Sequence, residues 1–591
     1  MVGQSRRPPA GTAVDARPLD RPREAVASSR SGCDGAADMI RSLLALALAL
    51  CALSTPARAK DELVLAMTQT PGTWNPLISS MLAKSLIANM TARPLTAYDA
   101  DWKLVCLACT ELPTLQNGKA RVIDLPDDGK DGGKKGMEVD VELRDLRWGD
   151  GTPVSSKDVA FTLEVGKHPL SGVASSEGYK RVIKLDVKDD RRFTMTIDRV
   201  TFDYNSIGFL LLPAHIEKPI FDANPAEYRN RTAYDTNSTN PGLAFGPYRI
   251  VEIVPGSRIV LEQNPTWAGQ KPGFKRIVVK IIENTAALEA NLLSGSVDYV
   301  LGELGLSLDQ AIAFEKRHGA KYSVVYKPAL IYEHIDVNLD NKLLGDRRVR
   351  QAMLLAIDRK AISEKLFEGK QPIAHGGISV LDPMFSPAAR QYGYDPAAAR
   401  KLLDEAGFAT LKNGVRHNAA DERLSIELGT TAGNRVRELV AQVMQSQLRQ
   451  VGIEVRIKAE PPRIFFEAMG RRTYSSLGMY AWVQRPEGVP RSSLHSKEIP
   501  SAANAWSGQN YPGYANPEMD KALDAAEREL DVDKRRTLFA EIQRLAADDL
   551  PSLPLFFRVD PFVIPKALKG VTPTGTLNSS TLWVEQWRWE N

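Results

Sequence analysis

The sequence lacks a strong excess of charge of either sign. Its 76 lysine and arginine residues nearly balance its 72 aspartate and glutamate residues, and the formal net charge is +4 over 591 residues. It also lacks a dense run of lysine or arginine with interleaved aromatic residues, which is the pattern of a dedicated nucleic-acid surface. The composition therefore argues against a nucleic acid as a partner.

Cysteine and histidine are scarce, with four and seven residues. The histidines are scattered singly, and beyond the N-terminal region only Cys106 and Cys109 remain, in the string Cys-Leu-Ala-Cys. A zinc site needs a second pair of ligands nearby, and a redox Cys-x-x-Cys motif needs a thioredoxin-like βαβ context. Because neither is present, we expect a structural disulfide of an oxidising compartment, or two unreactive thiols, and no metal.

The common catalytic strings are absent as well. The sequence contains no G-x-S-x-G elbow, no H-E-x-x-H, no Walker A loop and no G-x-G-x-x-G after a predicted strand. A carboxylate pair of the glycosidase type has no sequence signature, and nothing here favours one. We therefore predict that the protein is not an enzyme and needs no cofactor.

No apolar run reaches the roughly 20 residues that a membrane-spanning helix requires. The run from Leu43 to Leu53 follows Arg41 and precedes an Ala-Arg-Ala string that ends at Ala59. A positive region, a short apolar run and a small-residue site form a secretory signal peptide, here residues 39–59, cleaved after Ala59. We expect no lipid at Cys51, because a leucine precedes it where a lipobox has glycine or alanine.

Residues 1–38 are rich in arginine, proline, alanine, serine and glycine and have almost no apolar periodicity. Such a composition predicts disorder. Because a signal peptide about 40 residues into a chain is awkward for export, we expect Met39 to be the true start and residues 1–38 to be a misassigned extension. The alternative is a longer leader.

The rest of the chain has the composition of a globular protein and is too long for one core. Its 43% hydrophobic and 25% charged residues are ordinary shares. A buried strand is predicted at residues 63–67 and a helix at about 80–90, and a hairpin is predicted around Pro255-Gly256. Strands and helices alternate in this way throughout, which indicates an α/β protein.

The most informative segment is residues 143–164, LRDLRWGDGTPVSSKDVAFTLE. An alternating strand runs into a turn at Asp150-Gly151, where the backbone needs a positive φ. Ser155 or Ser156 then caps a helix whose apolar residues partly face inward. A second segment, residues 346–358, reads DRRVRQAMLLAID, and Asp346 caps a helix with an i, i+3, i+4 apolar stripe.

As strings, these segments resemble the signatures of the extracytoplasmic solute-binding proteins of dipeptide/oligopeptide-type ABC transporters (solute-binding family 5, peptide/nickel-binding class). The first is similar to the W-S-D-G-x-P signature with its following helix, and residues 244–267 and 346–358 resemble two further family segments. The matches occur in the family's order from Leu63 to about Phe557.

The resemblance implies an α/β, two-lobe periplasmic-binding-protein fold of type II, peptide-binding class, with an extra domain in lobe one. The ligand is then expected in the cleft between the lobes, which close by a hinge motion. Matched segment by segment, the expected parts are residues 60–95, 238–325 and 557–591 for lobe one, 96–237 for the extra domain and 326–556 for lobe two.

Peptide-binding members hold the ligand's amino group with an aspartate in a segment written roughly G-W-x-x-D-Y. The corresponding stretch here keeps the tryptophan, Trp482, but has Arg485 at the aspartate position. A cation there repels an ammonium and fits a carboxylate or phosphate, which guanidinium binds bidentately. The alternatives are that Arg485 faces solvent or that the alignment is shifted. Trp482 is expected to line the cleft, because aromatic walls give sequence-tolerant contact area.

Further candidate ligand contacts follow from position alone. Trp74 lies after the first strand, and Tyr332, Glu333 and His334 precede a family segment. Trp506 lies in a late loop. For each of them a place in the core or on the surface is the alternative interpretation.

The predicted function is that of a periplasmic substrate-binding receptor of an ABC importer. It would capture a peptide or peptide-like solute by lobe closure and deliver it to inner-membrane permease subunits with cytoplasmic ATPases, as a monomer. The alternatives are a non-peptide anionic solute (an opine, a sugar phosphate or a metal chelate), or a secreted chaperone or signalling-peptide binder.

Overall fold

The structure is a computed structural model that describes residues 60–78, 81–126, 134–504, 508–576 and 578–590. The predicted N-terminal extension, the signal peptide with its cleavage after Ala59, and Trp506 lie outside these residues. Within the described part of the chain, no helix is both long and apolar enough to cross a membrane. The same part holds no group of three or more histidine, cysteine or acidic side chains that could bind a metal ion.

The strands follow the alternation of apolar and polar residues along the chain. They are β1 (Glu62–Met67), β2 (Thr96–Tyr98), β3 (Leu104–Cys106), β4 (Ala120–Asp124), β5 (Lys135–Glu142), β6 (Val182–Val187), β7 (Arg192–Ile197), β8 (Tyr248–Val254), β9 (Arg258–Gln263), β10 (Arg276–Ile281), β11 (Tyr299–Val300), β12 (Tyr322–Val337), β13 (Thr410–Lys412), β14 (Val415–His417), β15 (Ser425–Thr431), β16 (Glu454–Glu460), β17 (Leu477–Val483), β18 (Ser552–Pro565), β19 (Leu568–Lys569) and β20 (Arg588–Trp589).

The helices occupy most of the segments between strands. They are α1 (Leu82–Thr91), α2 (Ser156–Lys167), α3 (Glu177–Arg181), α4 (Ala214–Ala223), α5 (Tyr228–Arg231), α6 (Ala233–Thr236), α7 (Thr285–Ser294), α8 (Leu308–His318), α9 (Arg347–Ala356), α10 (Arg359–Phe367), α11 (Pro396–Glu405), α12 (Arg435–Gln450), α13 (Pro462–Gly470), α14 (Arg491–Leu494), α15 (Pro517–Arg528) and α16 (Val532–Asp549).

Lobe one is built on a sheet with the strand order β11-β1-β10-β9-β8. Strand β1 is parallel to β10 and β11, whereas β9 runs antiparallel to both of its neighbours. Strands β8 and β9 form the predicted hairpin, and Gly256 at its turn has a φ of +67°. The alternate residues Leu63 and Leu65 are fully buried and pack with Leu86 of α1 and with Trp587 near the C-terminus.

Lobe two is built on a sheet with the order β16-β15-β17-β12-β18. One face, which carries Ile335 and Val337, packs against α9 and α12. Helix α9 begins as predicted, because the carboxylate of Asp346 accepts the N–H of Arg348 at 2.8 Å. The opposite face of β12 turns toward α16.

The extra domain contains the antiparallel sheet β4-β5-β7-β6. The segment that the sequence singled out lies here, directly after β5, as a turn followed by helix α2. Ser155 is the cap of α2, and Asp158 completes a capping box by accepting the N–H of Ser155 at 2.8 Å. Gly151 has a φ of +92° at the turn, and Trp148 is fully buried in the core of this domain.

Strands β12 and β18 connect the two lobes as an antiparallel ribbon. Their outer halves pack in lobe one, through Val324 and Val325 of β12 and through Phe562 and Val563 of β18. Their other halves lie in the sheet of lobe two. The expected boundaries at residues 325/326 and 556/557 thus fall inside two continuous strands, so the residue limits of the lobes remain predictions.

Candidate ligand-binding site

The lobe-two side of the candidate site is the loop that follows β17. Its first residue, Gln484, is held to β12 by its N–H, which donates to the carbonyl of Leu330 at 2.7 Å. Glu487 adopts a φ of +55°, and its N–H donates to the carboxylate of Asp382 at 2.8 Å. These bonds hold the loop, and with it Arg485, in a defined position.

The opposite side is the segment of the extra domain that follows β7. Asp203 in this segment has a side chain that is 5% exposed. Its carboxylate accepts the hydroxyl of Thr201 and a guanidinium N–H of Arg181 at 3.1 Å. The acidic group is therefore fixed from its own side before any contact with lobe two.

Arg485 and Asp203 meet across the gap between lobe two and the extra domain. Nη2 of Arg485 donates to Oδ2 of Asp203 at 2.6 Å. Close by, the N–H of Phe202 donates to the carbonyl of Glu527 at 3.2 Å, and the guanidinium of Arg535 lies 4.3 Å from the centroid of the Phe202 ring. Lobe two thus contacts the extra domain through an ion pair, a backbone hydrogen bond and a cation–π contact.

A chamber of about 800 Å³ lies beside this contact, between the extra domain and lobe two. Its lining is largely polar, and its charged side chains within the described chain are Glu177, Arg181, Arg199, Asp203, Arg485, Arg491, Glu498 and Glu527. The formal charges of these four basic and four acidic residues cancel. Such a chamber is suited to a polar solute that carries charges of both signs.

Asp203 is ionised in this setting. Burial alone raises the pKa of its carboxyl, but Arg485 and Arg181, with the hydroxyl of Thr201, hold the pKa well below its ordinary value. The pair with Arg485 is therefore a true ion pair across the range of pH in which the protein is expected to work.

A second, smaller pocket of about 60 Å³ lies inside lobe two, behind the same loop. Tyr332 and His334 of β12 and Trp482 of β17 line it together with Asp336. The register explains this grouping, because Tyr332 pairs directly with Trp482 and His334 with Tyr480, and directly opposed residues of two strands share one face.

His334 and Asp336 in this pocket have polar partners nearby, whereas Nδ1 of His375 in the lining is buried without a hydrogen-bond partner among the described residues. The hydroxyl of Tyr480 donates to Asp336 at 2.5 Å, and Nε2 of His334 lies 3.3 Å from the same carboxylate. The ring of His334 also stacks on Tyr332, with centroids 4.6 Å apart. The rim is mainly apolar, and Trp482 is only half-buried there, so the pocket suits a small apolar or aromatic group.

Glu333 is separated from the other two candidates of its strand. Consecutive side chains of a strand point to opposite faces, so Glu333 lies on the α12 side, between Arg437 and Arg558. Burial raises the pKa of this carboxyl, but the two arginines hold it below its ordinary value. The structure therefore gives Glu333 a place in a buried ion triad and does not bring it into the pocket.

The remaining candidates also lie apart from the chamber. Trp74 borders a small separate cavity in lobe one, beside Lys84. Its backbone N–H donates to the carboxylate of Asp235 at 2.8 Å. Burial lowers the pKa of Lys84 to about 8. Cys106 and Cys109 form a disulfide at the end of β3, in the extra domain and not among the residues that line the chamber.

Sequence reasoning missed Asp203, Arg181 and the other chamber residues of the extra domain. Arg485 and Asp203 are separated by 282 positions along the chain, and no motif surrounds Asp203. Only the docking of the extra domain against lobe two brings these groups together, and no local pattern carries that information.

The structure has two lobes joined by a two-strand ribbon, and a polar chamber lies beside lobe two. These features define a two-lobed solute-binding protein. The model of the family described as "Bacterial extracellular solute-binding proteins, family 5 Middle" matches residues 133–531. This is more than half of the chain, and the chain therefore belongs to that family. The predicted family and the predicted two-lobe α/β fold are thus confirmed. Its members are extracytoplasmic substrate-binding proteins of transporters.

Three relatives illustrate the similarity. The oligopeptide-binding protein AppA of Bacillus subtilis (strain 168) is 25% identical over 86% of this chain and 88% of its own. The nickel-binding periplasmic protein of Escherichia coli (strain K12) is 22% identical over 90% of this chain and 95% of its own. The solved oligopeptide-binding protein of Thermus thermophilus, complexed with a pentapeptide, has a TM-score of 0.73 and 30% identity, and the match covers 90% of this chain and 96% of that one.

Proposed function

We propose that the protein is the periplasmic substrate-binding receptor of an ABC importer and that it captures a peptide or peptide-like solute. The observation that carries this proposal is the chamber of about 800 Å³ between lobe two and the extra domain. Its volume is within the range of sites for small molecules, about 300–1,000 Å³. The proposal is supported by the relatives whose names refer to oligopeptides, one of them solved with a pentapeptide.

The chamber and the lobe-two pocket would contact different parts of the ligand. Charged side chains of the chamber contact the polar parts of the ligand, and the apolar pocket at Trp482 accepts one of its side chains. Both sites border the loop of residues 484–494 from opposite sides, so one extended ligand can reach both. Capture then requires only that the ligand binds the closed arrangement of lobes better than the open one.

The family and the N-terminal sequence support the wider role in this proposal. The chain is exported by the signal peptide of residues 39–59, is cleaved after Ala59 and carries no lipid. In the periplasm it acts as a monomer without catalytic activity or cofactor. It delivers the closed complex to the permease subunits of its importer in the inner membrane.

Thermal unfolding in the presence of a solute library tests this function. Di- to nonapeptides, nickel chelates, sugar phosphates and opines are added separately to the purified protein. A peptide at about 100 times its Kd is expected to raise Tm by about 2 °C or more. If only non-peptide anions or chelates raise Tm, the peptide assignment is wrong. If no solute does and the protein suppresses aggregation of an unfolded client, it is a chaperone instead.

The Trp482→Ala variant tests the place of the ligand. We expect Kd for the best peptide to rise about 10-fold or more, because aromatic contact area at a pocket rim is lost. Tyr394→Ala is the matched control, since Tyr394 is an exposed aromatic residue that borders neither site. Equal affinities for the two variants would contradict binding at the pocket.

A further inference from the structure

The lining of the lobe-two pocket suits an aromatic ring. Tyr332, Phe385 and Trp482 contribute aromatic side chains to it, and Ile542 and Leu550 contribute aliphatic ones. Aromatic rings pack well on one another in offset or edge-to-face arrangements. On a scale in which about 10–15 Å³ holds one water molecule, the pocket of about 60 Å³ has room for about four to six waters. This is the room that one aromatic side chain takes.

Part of the pocket wall consists of backbone without side chains. Gly376 and Gly377 line the pocket directly after His375. A Cβ atom on Gly376 would meet nothing within 4 Å, and one on Gly377 would lie 3.8 Å from Cε1 of Tyr332. Neither glycine has a positive φ, so the backbone conformation does not require glycine at either position. The two glycines leave space beside the ring of Tyr332.

The chain just before His375 is fixed to the sheet of lobe two. The N–H of Ala374 donates to the carbonyl of Leu555 in β18 at 3.2 Å. The guanidinium of Arg359, which is buried, donates to the carbonyl of Ala374 and to that of Pro554 at 3.2 Å. These bonds hold the imidazole of His375 at the pocket.

The imidazole of His375 has an unused hydrogen-bonding atom. Its Nδ1 is the one buried side-chain nitrogen or oxygen without a hydrogen-bond partner among the described residues that line the pocket. Gln543 in the same lining is satisfied, because its amide donates to the carbonyls of Met384 and Phe539 at 2.8 and 2.9 Å. A buried polar atom without a partner is costly, so a ligand group that pairs with Nδ1 gains affinity.

The protonation state of His375 narrows the kind of group that fits. Burial lowers the pKa of His375, and the charge of Arg359 lowers it further, so the imidazole is neutral at neutral pH. In a neutral imidazole one nitrogen donates and the other accepts. A hydroxyl does both and can pair with Nδ1 in either tautomer. A carboxylate only accepts, and it would bring a second negative charge into a pocket that already holds Asp336.

We propose that the lobe-two pocket selects a phenolic side chain, that of tyrosine, in the captured peptide. The ring packs against Trp482 and Tyr332 in the space beside the two glycines, and the hydroxyl pairs with the imidazole of His375. A rotation about the Cβ–Cγ bond of His375 uncovers Nδ1 for this pairing. His375 is then a specificity-determining residue. This inference rests on the proposed function and adds to it the kind of side chain that the receptor prefers.

Two series of peptides test this selection. The parent is the peptide that raises Tm most in the library, and each of its residues in turn is replaced by tyrosine in one series and by phenylalanine in the other. For the unaltered protein, titration calorimetry is expected to show one position at which the tyrosine peptide binds about 10-fold more tightly than its phenylalanine counterpart. In His375→Phe this preference should fall below about twofold or reverse, because the hydroxyl is then buried without a partner.

His417→Phe is the matched control, because His417 is a half-buried histidine of the same lobe that lies outside the pocket lining. It should keep the full preference for tyrosine. His375→Leu, which also removes the ring nitrogens, takes the place of His375→Phe if that variant does not fold.

The inference is overturned if the unaltered protein binds the two peptides of every matched pair within about twofold of each other. It is also overturned if His375→Phe, with an unchanged Tm, keeps the preference for tyrosine. If no peptide of the library binds, the proposed function itself fails, which is a distinguishable result.

Discussion

Glu333 illustrates how one residue can be assigned the wrong partner when only its neighbours in the sequence are considered. It stands between Tyr332 and His334, which both line the lobe-two pocket. Its own side chain is 2% exposed and is bonded to Arg437 and Arg558. The alternation of the strand decides this placement, and the ion triad then fixes β12 to α12 and β18.

Replacing Glu333 tests this structural role. Glu333→Gln removes the negative charge between two arginines, one of them largely buried, and leaves them without a counter-charge. We expect the free energy of unfolding to fall by about 2–4 kcal/mol, as measured by urea denaturation. Kd for the best peptide should stay within about twofold, because the residue lies on the face of the sheet away from the pocket.

Glu405→Gln provides the comparison, since this exposed residue has, within the described part of the chain, a single ion contact, of 3.9 Å, with Lys401. Its stability change should be within about 0.5 kcal/mol. Loss of peptide affinity in Glu333→Gln at unchanged stability would show instead that Glu333 binds the ligand.

Among the elements, helix α2 depends most clearly on a few polar contacts at its start. The carboxylate of Asp158 accepts the N–H groups of Ser155 and Ala214, each at 2.8 Å. It also accepts the indole N–H of Trp148 at 3.3 Å. One buried side chain thus joins the turn, the start of α2 and the start of α4.

Asp158→Ala is expected to destabilise the extra domain. The substitution leaves buried N–H donors without a partner, which costs about 2–4 kcal/mol in total. Urea denaturation followed by circular dichroism measures the change in the free energy of unfolding. Glu164→Ala on the same helix is the control, because Glu164 is exposed and its one ion pair among the described residues is with Lys218. A change below about 0.5 kcal/mol is expected. Similar losses in both variants would contradict the role of the capping box.

For the whole molecule, the ribbon of β12 and β18 is the element on which any movement of the lobes must depend. Asp560 of β18 lies on the lobe-one half of this ribbon. Burial and the nearby Glu303 raise the pKa of its carboxyl to about 7, against the opposing effect of Arg558. Burial raises the pKa of Glu303 as well. The ribbon therefore carries one acidic group whose pKa is raised, and a second such group, Glu303, lies beside it in lobe one.

This arrangement predicts a pH-dependent stability. Between about pH 4, the pKa of an aspartate in the unfolded chain, and about pH 7, the folded chain holds a proton that the unfolded chain has lost. Stability is therefore lost as the pH rises through this interval. Asp560→Asn should remove this loss. The free energy of unfolding of the variant minus that of the unaltered protein should therefore be about 2–4 kcal/mol larger near pH 8 than near pH 4.

Urea denaturation at several pH values measures this difference. Asp124→Asn serves as the comparison, because Asp124 is an exposed carboxylate paired with Lys135 at the surface and should show no such rise toward high pH. If the stability difference between Asp560→Asn and the unaltered protein does not change with pH, the carboxyl of Asp560 is not the source.

Local patterns anticipated many elements because their causes lie within a few residues. The turn at Gly151, the cap of α2 and the cap of α9 at Asp346 follow from backbone conformation and from side chains that bond neighbouring N–H groups. The candidate site was anticipated less well. The matched string indicates Trp482, and the position in the sequence indicates Tyr332, but the pocket that they share depends on the strand register. No sequence motif indicates Asp203.

The sequence by itself determined the family, the α/β class and the two-lobe architecture. The periodicities depend on residues close together in the chain, and the motifs occur along it in the order typical of the family. Only the tertiary structure decided which charges face each other in the chamber. Arg485 meets Asp203 across 282 positions, and Glu333 is turned away from the pocket by the alternation of a strand whose partners come from distant segments. Charge pairing between lobes is a property of their docking, and no short segment encodes it.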